Sequence, residues 1–87
     1  MSVIDAMRAS LAALDPVRID VIDDSARHAG HAGARSGGGH FMLTIVSPRF
    51  AGLRTMARHR LVYDALGPLM KREIHALGIT AKTPDEK

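Results

Sequence analysis

The side chains in this sequence best suited to hold a metal are its five histidines, His28, His31, His40, His59 and His75, because no cysteine is present. Neutral imidazole is a good ligand for zinc, copper and iron. The stretch "RHAGHAGARSGGGHF", residues 27–41, sets His28, His31 and His40 among glycines and alanines. A segment of that composition has much conformational entropy to lose on ordering, which suits a loop that closes over something. Within "RHAGHAG" either His28 or His31 can reach a metal. Their spacing carries no zinc-finger pattern. The missing thiols exclude disulfides, cysteine-ligated zinc and any iron–sulfur cluster held by this chain's own thiolates.

The other histidines sit in patterned segments. In "LMKREIHAL" helical spacing puts Met70, Ile74 and Leu77 on one narrow arc and turns His75 roughly 100° or more away from it, where it can face a partner. His59 falls on the apolar arc of a helix and reads as a core or boundary residue, whereas His40 opens a strand and reads as a brace of the sheet edge. Catalysis finds no support. There is no thiol nucleophile and no Ser/His/Asp arrangement, and Asp23, Asp24 and Ser25 are ordinary turn formers at a strand end. The expectation is a protein that is not an enzyme.

The elements that must position these side chains are legible from periodicity. Apolar residues at Val3, Ile4, Met7, Leu11 and Leu14 make a helical stripe, started by Ser2 with Asp5 in a capping-box arrangement and ended at Asp15-Pro16. "VRIDVIDD" alternates Val17, Ile19 and Val21 with polar partners, as a half-buried strand does. "FMLTIVS" sets Phe41, Leu43 and Ile45 on one face and Met42, Thr44 and Val46 on the other, which predicts a central strand. The two strands form a long antiparallel hairpin tipped by a flexible glycine-rich loop, residues 25–39.

After "PRFAG", the segment "LRTMARHRLVYDAL" reads as an amphipathic helix. Met56, His59, Val62, Tyr63 and Leu66 are expected on its buried arc, and Arg54, Arg58, Arg60 and Asp64 on its outer face. Gly67-Pro68 breaks it, "PLMKREIHAL" makes a third helix capped by Gly78, and "ITAKT" a last short strand before a frayed tail, residues 84–87. The order is α-β-β-α-α-β: one domain, residues 1–87, of the α/β (α+β) class. A three-stranded mixed sheet carries helices on one face, with the second and third strands parallel because helices join them.

These segments resemble the BolA family. The resemblance rests on His40-Phe41 opening a strand, "VSPRFAG", "RHRLVYDAL", "IHAL" running into a strand and "TP", together with "DDSARHAGHAG" after the first strand. It covers residues 2–84. It implies a fold like the type II K-homology domain and non-enzymatic work. That work is partnership with a monothiol glutaredoxin, sharing a [2Fe–2S] cluster with it and with glutathione, in iron–sulfur trafficking or iron regulation. Carried over by position, the family's cluster ligands fall on His75 of "IHAL" and on His28, with His31 as the alternative loop ligand. The partner's cysteine and the glutathione would complete the site, so a cysteine-free chain is compatible with it.

Some family members are described as DNA-binding transcription regulators. The basic face bearing Arg54, Arg58 and Arg60 offers phosphate contacts for that alternative. Twelve Lys and Arg against nine Asp and Glu, a net charge of +3, permit such contact without arguing for it. The junction "LGPLM" lacks the GXXG loop with which a K-homology domain grips nucleic acid. No apolar run approaches a membrane span and no signal peptide is evident, so a cytoplasmic protein without membrane contact is expected.

Overall fold

The computed structural model describes residues 2–24 and 39–86. Its elements are α1 (Val3–Leu11), β1 (Arg18–Asp23), β2 (Gly39–Val46), α2 (Thr55–Leu66), α3 (Leu69–Arg72) and β3 (Ile74–Lys82), with single 3₁₀ turns at Ala12–Leu14 and Pro48–Phe50. The expected order and fold class hold. The sheet runs β1-β2-β3, so β2 is central. β1 pairs antiparallel with it through Ile19↔Ile45 and Val21↔Leu43, and β3 pairs parallel through Leu43↔Ile79 and Ile45↔Ala81.

One face of that sheet is apolar by alternation. Phe41, Leu43 and Ile45 of β2 are buried, and they meet Met7, Leu11 and Leu14 from the first helical segment and Val62 and Leu66 from α2. Ser2 caps α1 as expected, its hydroxyl accepting from the Asp5 N–H at 3.1 Å. Asp15 ends the segment in the left-handed region, φ 50°. The "VSPRF" motif is a latch. Ser47 is fully buried, donates its hydroxyl to the Leu14 carbonyl and accepts from the Arg49 N–H, while Phe50 fills the core. The other sheet face is open, with Ile22 and Met42 exposed side by side.

Several local expectations are corrected. α3 is one turn, and β3 begins at Ile74, so His75 lies on a strand and not on a helix. A short apolar run such as "IHAL" fits either period, and the parallel ladder with β2 decides for strand. Gly78 is accordingly no helix cap. It faces Met42 across the ladder, and a Cβ there would stand 2.7 Å from the Met42 sulfur, so its bareness lets that side chain lie over β3. Val17 precedes β1 and is exposed.

α2 is rotated from the expected arc. Leu61, Val62, Ala65 and Leu66 face the core, while Met56 is 82% exposed and Tyr63 41%. Nor is the tail frayed through residue 86. The Glu86 N–H bonds the Thr83 carbonyl, and the Glu86 carboxylate is held by Arg58.

Candidate metal-ligand site

His75 reaches the surface because of an irregularity in the ladder. Gly39 pairs with Ile74 and His40 with Ala76, so β3 carries one extra residue between these pairs, and that residue is His75. A bulge of this kind re-aims a side chain. Ile74 remains in the core, whereas His75 is exposed. The imidazole is therefore presented outward, as expected, by a bulged strand rather than by a helix.

The same register brings His40 to it. The two rings stand 5.2 Å apart between centroids, tilted by 47°. His40 is half-buried, its Nε2 lies beneath the surface, and it lines a shallow cavity of about 290 Å³ together with Asp24, Met42, Ala76 and Gly78. The Asp24 N–H donates to the His40 carbonyl at 2.7 Å, and the Gly39 N–H donates to the Glu73 carbonyl at 2.8 Å. Asp24 is thus tied to β2 just past the end of β1, and Gly39, at the start of β2, is tied to the residue that precedes β3. His28 and His31 lie outside the described residues.

The sequence alone does not reveal the His40–His75 pairing. Its only signal was that "HF" and "IHAL" both belong to the family pattern. Among the described residues, no three or more of His, Cys, Asp and Glu stand close enough to hold a metal ion. This donor set supplies at most part of a coordination shell. An exposed imidazole on a strand paired to its neighbour can serve as one ligand of a metal that takes its other ligands from elsewhere.

The basic helix is dismantled as a single surface. Arg58 is not on the outer face: its side chain is only 14% exposed and pairs with Glu86 at 2.6 Å. It also donates to the carbonyls of Leu53 at 2.9 Å and Ala81 at 3.1 Å. The bonds to Glu86 raise the Arg58 pKa. In return, the Arg58 guanidinium and then the Thr83 N–H pull the Glu86 carboxyl down to about 2. Arg54 and Arg60 are exposed. His59 is half-buried on α2, where it lines a groove with Met56, Arg60 and Tyr63.

With this geometry in view, a family model described as "BolA-like protein" matches residues 11–86. The chain is 50% identical over 78 residues to SufE-like protein 1, chloroplastic/mitochondrial, of Arabidopsis thaliana, covering 84% of this chain and 21% of that protein. It is 40% identical over 75 residues to the DNA-binding transcriptional regulator BolA of Escherichia coli, covering 86% and 69% respectively. Among solved structures, BolA1 from Arabidopsis thaliana superposes with a TM-score of 0.83 at 36% identity, covering 100% of this chain and 98% of that one. The chain thus spans about a fifth of the first of these relatives and about two thirds of the second. No helix among the described residues is long and apolar enough to cross a membrane. Because one relative carries chloroplast and mitochondrion in its name, a cytoplasmic location does not follow from the family.

Proposed function

The chain belongs to the BolA family, and on that premise we propose that it is a non-catalytic adaptor. It binds a monothiol glutaredoxin and contributes histidine ligands to a [2Fe–2S] cluster that the two proteins share with glutathione, in iron–sulfur trafficking or iron regulation. The cluster is cargo held between partners. His75 is the ligand from β3, and His28, or His31 in its place, is the ligand from the loop. His40 positions the His75 ring.

The observation that carries this reading is the exposed imidazole at the β3 bulge, with a second imidazole packed against it and the loop's end at Gly39 paired to the neighbouring Ile74. Imidazole ligation at one iron raises the potential of a [2Fe–2S] centre relative to thiolates alone, so exchanging partners changes the cluster's redox behaviour as well as its address. The test is to mix the chain with a reconstituted monothiol glutaredoxin and record the visible spectrum. A new spectrum, distinct from that of the glutaredoxin alone, is expected. An unchanged spectrum overturns the proposal.

A second reading, DNA binding, is favoured by the name of the Escherichia coli relative. On this chain it would rest on Arg54 and Arg60, because Arg58 is engaged by Glu86. It requires that Arg54→Ala and Arg60→Ala weaken DNA binding and flatten its salt dependence. Binding that ignores both arginines removes it.

A further inference from the structure

β3 is an edge strand whose free side the described residues close only at its C-terminal end. In a parallel ladder, alternate residues of a strand bond a given neighbour. The Ser47 N–H donates to the Lys82 carbonyl at 2.9 Å, which assigns Ala76, Gly78, Thr80 and Lys82 to β2 and turns the backbone groups of Leu77, Ile79 and Ala81 to the free edge. Two further bonds agree. Arg58 donates to the Ala81 carbonyl at 3.1 Å, and the Thr83 N–H donates to the Glu86 carboxylate at 2.9 Å. Side chains therefore occupy the C-terminal part of the edge. Among the described residues, nothing occupies the outward N–H and C=O groups of Leu77 and Ile79. The strand itself brings no charged side chain to guard this stretch, since "IHALGITA", residues 74–81, is uncharged.

We infer that this short open edge receives an extended strand of the cluster-sharing partner, which adds to the sheet beside His75. The inference rests on the function proposed above and names how the partner is oriented. Backbone groups in a row are complementary to another extended backbone, and pairing by strand addition is a general mode of protein recognition. The occupant is an uncharged extended segment, because any charge it carried would meet none of opposite sign along residues 74–81. A second copy of this chain is a poorer fit. An antiparallel self-pairing needs free edge on both sides of its two-fold axis, and here the bulge at His75 bounds one side and Arg58 the other. Contact confined to Leu77 and Ile79 falls far short of the roughly 1,200 Å² of a stable interface. A partner also attached through a metal at His75 needs no such area; the edge then fixes its orientation.

The experiment uses the full chain with a monothiol glutaredoxin carrying a reconstituted [2Fe–2S] cluster and glutathione. Amide hydrogen exchange is read residue by residue after quenching, in parallel with the visible spectrum. The Leu77 and Ile79 amides are expected to slow by about tenfold or more in the complex. Ile79→Pro removes an outward N–H and leaves the bonds to β2 intact, a position where an edge strand tolerates proline. It is expected to weaken the complex about tenfold, while the complex that does form keeps its spectrum. A new spectrum with unprotected Leu77 and Ile79 amides, or with Ile79→Pro binding like the wild type, overturns the edge inference alone. No spectral change with the wild-type chain overturns the proposed function and this inference with it. A dimer of the isolated chain that Ile79→Pro abolishes assigns the edge to self-pairing and overturns it as well.

Discussion

The two ends of β3 handle the same physical problem in opposite ways. Near Ala81 and Thr83 the strand's outward backbone groups are satisfied from within the chain, by a guanidinium and a carboxylate that also satisfy one another. Near His75 the strand bulges, loses its alternation and presents an imidazole to solvent. The first arrangement closes an edge and ties the tail to α2. The second leaves donors unspent, which stability does not require and a partner can use. Functional groups are expected where a fold leaves its local rules unmet.

The largest effect should come at the open end. His75→Ala is expected to lower cluster retention in the glutaredoxin complex by more than about tenfold, measured by visible absorbance, with thermal stability near that of the wild type. His40→Ala should perturb the same spectrum more mildly, because it removes a neighbour of the ligand rather than the ligand. An inverted order would assign His40 the ligand role.

At the closed end the effects should fall on stability alone. Arg58→Ala strips partners from the Leu53 and Ala81 carbonyls and from Glu86 together. It should lower the melting temperature by several degrees and leave the cluster spectrum unchanged. A spectral change in Arg58→Ala would show that the two ends are coupled.

The clasp also has a pH signature. The folded Glu86 carboxyl is depressed from 4.5 to about 2, first by the bond from Arg58. A depressed carboxyl stabilises the fold above its unfolded pKa and loses that contribution as pH falls toward its folded value. The difference in melting temperature between the wild type and Glu86→Gln should therefore be full above pH ~5 and shrink toward pH ~2. A difference constant across that range would mean that the carboxylate's charge contributes nothing. The smallest effect belongs to the strand's middle. Gly78→Ala meets only the flexible, half-exposed Met42 side chain, so it should cost about 1 kcal/mol or less in chemical denaturation.

The same contrast separates what the sequence made legible from what it did not. The faces of β2 followed from strict alternation, and the start of α1 from Ser2, because both are local signals. Periodicity misplaces the arc of α2 because Arg58 draws its partners from Ala81 and Glu86, more than twenty residues away, and no periodicity reports such pairings. "IHAL" reads as part of a helix in the sequence because a short apolar run has no period of its own. What decides it is a parallel ladder with a strand beginning at Gly39. Helical and strand readings alike turn His75 outward, whereas its contact with His40 depends on the register and the bulge, which only the folded chain displays. The loop candidates His28 and His31 rest on the resemblance.

The role proposed for His75 is to bind iron, through its imidazole, in a cluster shared with a second protein. It is tested most directly by pulsed electron paramagnetic resonance of the reduced complex, with this chain alone carrying ¹⁵N-histidine. Hyperfine coupling to ¹⁵N is predicted in the wild-type complex, with the coupled nitrogen from β3 absent in His75→Ala. A reduced cluster that shows no ¹⁵N coupling, or the same coupling after His75→Ala, would contradict it.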